Sequence, residues 1–312
     1  MRKFFLCSFL CILLSSLSKA NNSYSSDTSF ITGRWDITIN ISGKNYPSWL
    51  EIERSGNNSL VGQFVGVVGS ARPISQVSFS NGKISFSIPP QWERGTNSLS
   101  FEATIQADSL TGSITFPDGK NYNCSAVHAP SLIHKTSPAW DKPIHLLNSS
   151  SLNGWHPSGQ NNQWIIENGV LKSPKPGSNL ITDAVFADFK LHIEFRYSKD
   201  GNSGVYLRGR YEVQIADVYE APQKDQFGAV YGFLAPTERA AKNPGEWQSY
   251  DITLIGRMIT VVANGKTIIC NREIPGITGG ALNSQEAEPG PLMLQGDHGP
   301  IEYRNIIITP AK

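Results

Sequence analysis

Polar and apolar residues alternate with a period of two along most of this chain. The runs are short and are broken by Gly, Asn, Asp, Ser and Pro at intervals of about 8 to 12 residues, while almost no stretch keeps helical spacing over about ten positions. A period of two puts successive side chains on opposite faces of a strand, so the pattern predicts an all-β protein of antiparallel strands. Eight runs come first, at residues 34–41, 48–54, 59–68, 72–79, 83–88, 98–107, 109–116 and 121–127. Turn chemistry separates several of them, as in Ser55-Gly56-Asn57-Asn58, Asn81-Gly82 and Asp118-Gly119. About eight short strands suffice to close a small barrel.

A second set of runs begins with a hairpin at 164–171 around Asn168-Gly169. It continues at 188–197, 203–208, 211–217, 248–255, 259–263, 267–271, 292–295 and 301–309, with Asn264-Gly265 as another tight turn. This number and spacing of strands predicts a jelly-roll sandwich. A short helix is expected over 236–241, started by Thr237-Glu238 and continued by alanines. Residues 129–143 are proline-rich and without periodicity, which makes them a linker. The expected organisation is a small antiparallel barrel over 28–128, the linker, and a jelly-roll domain over 144–312. Two domains also fit the length, since single cores stop growing at about 250 to 300 residues.

The first twenty residues break the pattern. Arg2 and Lys3 precede an apolar run from Phe4 to Leu17, and Ser18-Lys19-Ala20 has the small-x-small form of a signal-peptidase site. Cleavage after Ala20 is expected, and with it a secreted or periplasmic protein. Lipoprotein anchoring at Cys11 is the less favoured alternative, because Phe9 and Leu10 stand where small residues are needed. No later run approaches the roughly 18 to 20 apolar residues of a membrane-spanning helix.

Loss of residues 1–20 leaves 24 basic residues against 26 acidic ones, a formal charge of −2. That balance gives no electrostatic footprint for nucleic acid or anionic lipid. Of the four cysteines, Cys124 and Cys270 remain. They are expected either to form one bridge or to stay as two lone buried thiols, and neither has metal-ligand spacing.

The densest candidate chemistry lies between residues 188 and 214. On one face of the strands fall His192, Glu194 and Arg196, then Tyr206 and Arg208, then Glu212 and Gln214, with apolar residues opposite them. If these strands are neighbours, one open sheet face gathers Glu194, Arg196, Tyr206, Arg208, Glu212 and Gln214, a set suited to a polyhydroxylated ligand. The same pattern also describes solvated cross-strand ion pairs that bind nothing. Downstream, His298 sits in the glycine-framed Gly296-Asp297-His298-Gly299, and Trp247 offers either a stacking surface or packing. No Ser-His-Asp order, phosphate loop or paired-cysteine metal site is present.

Two resemblances add to this reading. Gly33-Arg34-Trp35 is similar to the short motif that opens lipocalin-like barrels. Residues from about 144 to 310 resemble the 3-keto-disaccharide hydrolases, also described as 3-keto-α-glucoside 1,2-lyase and 3-keto-2-hydroxy-glucal hydratase domains. The resemblance rests on Ser151-Leu152-Asn153-Gly154-Trp155, the hairpin at 164–171, Glu194-Phe195-Arg196, the stretch 201–209, Tyr211-Glu212-Val213-Gln214, Gly228-Ala229-Val230-Tyr231-Gly232, Gly245-Glu246-Trp247, 294–299 and Tyr303-Arg304-Asn305-Ile306. The segment Ser173-Pro174-Lys175-Pro176-Gly177 departs from the glycine-rich form of many relatives.

The resemblance implies a concanavalin A-like jelly roll and a reaction in which a C3 ketone acidifies the C2 proton. A base removes that proton, the C1 substituent leaves, and water adds to the resulting 2-hydroxy-glucal. Glu194, Glu212 and His298 are the candidates for proton transfer, and Arg196 or Arg208 for holding the enolate. A divalent metal would serve in place of the arginine, although no ligand spacing demonstrates one. Asn202, Tyr206, Gln214, Tyr231, Trp247 and Gln295 are the candidates for binding a small carbohydrate substrate. Two other readings stand beside this one: a carbohydrate-binding module without turnover, and paired-carboxylate hydrolysis of β-glucans, for which Glu194 and Glu212 lack a second acid two residues away.

Overall fold

The structure is a computed structural model that describes residues 29–134, 136–148, 150–217 and 220–312. The expected signal peptide lies outside the described residues. Strands β1 (Gly33–Ile41), β2 (Lys44–Ser55), β3 (Ser59–Val65), β4 (Arg72–Ser80), β5 (Lys83–Ile88), β6 (Leu99–Gln106), β7 (Ser109–Thr115) and β8 (Asn121–His128) each pair antiparallel with the next. β8 returns to β1 with Ile37 opposite Ala126, which closes the barrel. Inward positions supplied by the alternation, among them Ile37, Ile52, Phe64, Phe86, Phe101 and Ile114, form its core. Trp35 is fully buried, donates its indole N–H to the Ile31 carbonyl at 3.1 Å and stacks on His128.

The rest of the chain forms two facing sheets. Its strands are β9 (Ile144–His145), β10 (Trp155–Pro157), β11 (Ile165–Glu167), β12 (Val170–Ser173), β13 (Leu180–Phe186), β14 (Phe189–Tyr197), β15 (Asn202–Leu207) and β16 (Tyr211–Ala216), then β17 (Gln248–Ile255), β18 (Met258–Ala263), β19 (Lys266–Glu273), β20 (Gly290–Leu294) and β21 (Ile301–Pro310). A five-stranded sheet runs β10-β13-β20-β15-β16; an eight-stranded sheet runs β11-β12-β21-β14-β17-β18-β19, with β9 added against β21. Between them lies one apolar layer containing Leu191, Ile193 and Phe195 of β14, Val205 and Leu207 of β15, and Tyr211, Val213 and Ile215 of β16. The architecture is the all-β jelly-roll sandwich behind a small barrel that the alternation predicts.

The barrel is packed onto the sandwich. Trp49 of β2 is fully buried in the sandwich core, edge-on to Phe233 at 5.1 Å, and Val65 and Ala71 join the same cluster. Arg34 pairs with Glu273 at 2.5 Å, and the Ser284 hydroxyl donates to the Ile37 carbonyl at 2.6 Å.

Some expectations are corrected. Residues 236–241 form no helix: the Thr237 N–H donates to the Ile268 carbonyl, and the Asn264 side chain donates to the Ala240 carbonyl. Those tertiary bonds satisfy the backbone where a helix this short is marginal. β13 goes unpredicted because its pairing with β20 is irregular between Ile181 and Val185, which breaks the period of two. Cys124 is buried but Cys270 is exposed, and both are free thiols. Among the described residues no helix is long and apolar enough to cross a membrane.

Candidate active site

The alternation along β15 and β16 gives the five-stranded sheet a polar outer face. Register sets Gly204 opposite Gln214 and Tyr206 opposite Glu212, so the side chains of Tyr206, Glu212 and Gln214 rise together while Val205, Leu207 and Val213 enter the core. Asn202 joins them from the start of β15 and Gln295 from the end of β20. A cavity of about 370 Å³ lies over this face. One wall is the loop carrying Asp297 and His298, another is Tyr231, and the barrel supplies Val68, Gly69 and Trp92.

Glu212 lies at the centre of the floor and is only 3 % exposed. Gly204 makes room for it, since an added Cβ there would stand 2.2 Å from Glu212 Oε1. Burial pushes the Glu212 carboxyl up to about 8, the nearby Asp297 and Asp225 adding to the rise and the Tyr206 hydroxyl opposing it. Glu212 Oε2 is 2.8 Å from the Tyr206 hydroxyl, which is also 2.9 Å from the Gly279 carbonyl. Tyr206 has one proton for two acceptors. Tyr206 donates to Glu212 when that carboxyl is ionised, which is how it opposes the rise, and is free to donate to Gly279 when a protonated Glu212 donates to it.

His298 stands at the rim, about half exposed, with Nδ1 2.7 Å from Asp297 Oδ1. The hydrogen bond to Asp297 is the main reason that the imidazole is held above its ordinary value, against the opposing effect of burial. Three carboxamide oxygens, of Asn202, Gln214 and Gln295, are buried at the cavity without a hydrogen-bond partner. Buried acceptors are nearly always satisfied, so a group of them at one cavity is a set of sites for hydroxyl or amide donors of a ligand.

The structure thus brings Asn202, Tyr206, Glu212, Gln214, Tyr231, Gln295 and His298 to one cavity and leaves out four expected residues. Glu194 and Arg196 point outward from β14, whose neighbours are β17 and β21, on the far side of the sandwich. Glu194 is bound by Arg304 at 2.5 Å and Asn305 at 2.8 Å, which outweigh burial and hold its carboxyl below the ordinary value. Arg196 pairs with Glu302 at 2.7 Å. Trp247 lies under Arg196 and Arg304, with the latter 4.0 Å from the ring centre, and so belongs to that outer ion-pair face. Arg208 follows the last residue of β15 at φ +52°, which turns it off the strand's alternation. It is buried, donating to the Tyr211 hydroxyl at 3.0 Å and the Gly256 carbonyl at 2.9 Å.

Residues that periodicity did not single out complete the cavity. Asn179 precedes the unpredicted β13 and accepts the Gly296 N–H at 2.9 Å, fixing the loop that carries His298. Asp225, in the short 3₁₀ turn Gln223–Asp225, is raised by burial and acts on both Glu212 and Tyr231. Asp297 was visible only as part of the glycine-framed motif. Among the described residues no group of three or more His, Cys, Asp or Glu side chains is arranged to hold a metal ion.

The profile of the 3-keto-alpha-glucoside-1,2-lyase-like domain matches residues 142–309, which include both sheets and nearly every polar residue of the cavity. The chain belongs to this family. It is a carbohydrate-active family, and no curated protein matches the chain. Among solved structures, a protein of Parabacteroides distasonis assigned as a glycosyl hydrolase is 30% identical, with 53% of this chain and 82% of that one covered and a TM-score of 0.45. A second protein of that organism with the same assignment is 25% identical, with 54% and 98% covered and a TM-score of 0.44. A carbohydrate binding module of Bacillus subtilis is 12% identical over 49% of this chain and 93% of its own, with a TM-score of 0.35. The barrel, Gly33–His128, lies outside the family match.

Proposed function

We propose that this protein is an exported enzyme that cleaves 3-keto-glucosides by elimination followed by hydration. The observation that carries the reading is Glu212: a carboxyl raised to about 8 on the floor of a cavity lined by unpartnered carboxamide oxygens. A general base works best when its pKa lies near the operating pH, and burial tunes Glu212 into that range. Membership of the family supports a sugar substrate, and the 3-keto-glucoside is the reading proposed from it.

In the proposed reaction the ionised Glu212 takes the C2 proton, and the electron pair enters the C3 ketone as an enolate. The enolate then re-forms the carbonyl and a C1–C2 double bond while the C1–O bond breaks, the departing oxygen taking a proton from the His298 imidazolium. Water next adds at C1 and gives a proton back to His298, and Glu212, whose proton exchanges with solvent once the alcohol has left, protonates C2. The products are 3-keto-glucose and the free alcohol, and both side chains regain their starting states. With Arg196 and Arg208 elsewhere, the enolate oxygen is assigned to the amide N–H groups of Gln214 and Gln295, either edge of which can face a ligand. The Tyr206 hydroxyl keeps Glu212 oriented.

The test is incubation of the protein lacking residues 1–20 with a 3-keto-disaccharide, following release of free sugar. Release that disappears in Glu212→Gln is expected. No release from the unaltered protein, in the presence of measurable glycan binding, would identify a binding module instead. Export is supported by the pattern of residues 2–20 and is checked by N-terminal sequencing of the mature protein, expected to begin at Asn21; a start at Met1 contradicts it.

A further inference from the structure

The cavity is divided by polarity. Its acids, carboxamides and imidazole all come from the sandwich, whereas the barrel side contributes only Val68, Gly69 and Trp92. Val68 is 49 % exposed and Trp92 66 % exposed, two of the few large apolar side chains left open to solvent among the described residues. Val68 also lines a second cavity of about 270 Å³ at the barrel mouth, where Ile39, Val67, Leu99, Ile114 and Phe116 form apolar walls and Glu93, Arg94 and Asp118 supply the charged part of the lining. Val68 thus lies between the polar cavity and a second one whose walls are mostly apolar.

Trp92 is held in place although exposed. Arg72 pairs with Glu93 at 2.7 Å and donates to the Pro89 carbonyl at 3.0 Å, both side chains of the pair being largely buried. Glu93 in turn accepts the Gln91 N–H at 2.8 Å, and the Trp92 indole N–H donates to the Tyr231 hydroxyl. Gly69, at φ +90°, lets the opposing loop approach the ring, because a Cβ there would stand 2.5 Å from Trp92 Cδ1. The Gly280 N–H to the Val67 carbonyl, 2.8 Å, ties that loop to the sandwich. An aromatic face fixed in advance at the edge of a cavity binds without the cost of ordering it.

We infer that the barrel supplies the aglycone subsite and that the preferred substrates carry an apolar alkyl or aryl leaving group. This rests on the keto-glucoside reading for the sugar half. The sugar lies over Glu212 with its hydroxyls on the carboxamides, and the leaving group passes across Trp92 and Val68 toward the barrel mouth. Transfer of apolar surface out of water there favours long aglycones over short ones.

The experiment compares octyl and methyl 3-keto-glucosides of one anomer, whose leaving oxygens are chemically alike. The octyl compound is expected to have at least a tenfold higher kcat/KM. Trp92→Ala and Val68→Ser, which adds no charge beside Glu212, should each remove most of that advantage by lowering kcat/KM for the octyl compound several-fold more than for the methyl compound. Equal values for the two compounds, or equal losses on both in the variants, would overturn the subsite. Calorimetry with unoxidised octyl glucoside below its micellar concentration needs no turnover. Binding that is lost in both variants supports the subsite even if no keto-glucoside is cleaved, which would instead refute the reaction; absence of binding in the unaltered protein counts against the subsite.

Discussion

The protonation of Glu212, at the centre of the cavity floor, has two separable consequences. The folded protein keeps the proton up to about 8, whereas the unfolded chain releases it near the ordinary value of 4.5. Between those values the unfolded state binds fewer protons, so this residue's contribution to stability falls as pH rises through the window. Glu212→Gln mimics the protonated form at every pH. The variant is expected to melt at a higher temperature than the parent at pH 7 to about 8, with the difference vanishing near pH 4, while its kcat falls by about 10²- to 10⁴-fold. Thermal melts across pH and steady-state rates check both halves; a variant that melts lower at pH 8 would show that the carboxylate is stabilising. At this scale much of the site was legible in the sequence. The period of two put Tyr206, Glu212 and Gln214 on one face, because a strand offers no other arrangement. Asp225 and Asn179 were not legible, since they sit in irregular segments whose partners are distant in the chain.

At the scale of elements, periodicity and adjacency part company. Alternation gave the right parity for β14 and for β15 alike, yet nothing in a strand's own sequence states which strand lies beside it. β14 pairs with β17 and β21, β15 with β16 and β20, and so two polar faces expected as one lie on opposite sides of the apolar layer. The outer face satisfies itself with Glu194–Arg304 and Arg196–Glu302 pairs, the solvated alternative that the pattern also allowed. The loop after β20 acts differently, because Asp297 both raises Glu212 and, through its hydrogen bond, favours the charged form of His298. Asp297→Asn is expected to move the rising limb of kcat/KM against pH, set near 8 by ionisation of Glu212, to lower pH, and to lower the His298 value seen by NMR titration. An unshifted limb would remove Asp297 from the positioning of these two groups.

For the molecule as a whole, the junction of barrel and sandwich is a second place where protonation matters. Asp36 of the barrel is pushed up to about 9 by burial, with the negative charge of Glu286 adding to it. Glu286 is held ionised, against burial, by Arg257, which binds it through two nitrogens, and it also accepts the Tyr211 hydroxyl at 2.6 Å. Asp36 keeps its proton in the folded protein long after the unfolded chain has lost it near 3.8, so stability from this contact falls as pH rises from about 4 toward about 9. Asp36→Asn should flatten that decline in melts recorded between about pH 5 and 9, and an unchanged slope would mean that the junction does not carry it. The sequence showed both folded units but not this junction, because Asp36 and Glu286 are separated by nearly the length of the chain. The barrel packed in this way brings Val68 and Trp92 to the wall of the cavity.

The central claim, removal of the C2 proton by Glu212, is tested most directly by cleaving a 3-keto-disaccharide in D2O and reading the released 3-keto-glucose by NMR. Deuterium is expected at C2 of the product formed by the unaltered protein, and no release by Glu212→Gln. A product that keeps its original protium at C2, or a Glu212→Gln variant that releases sugar at the parent rate, would contradict it.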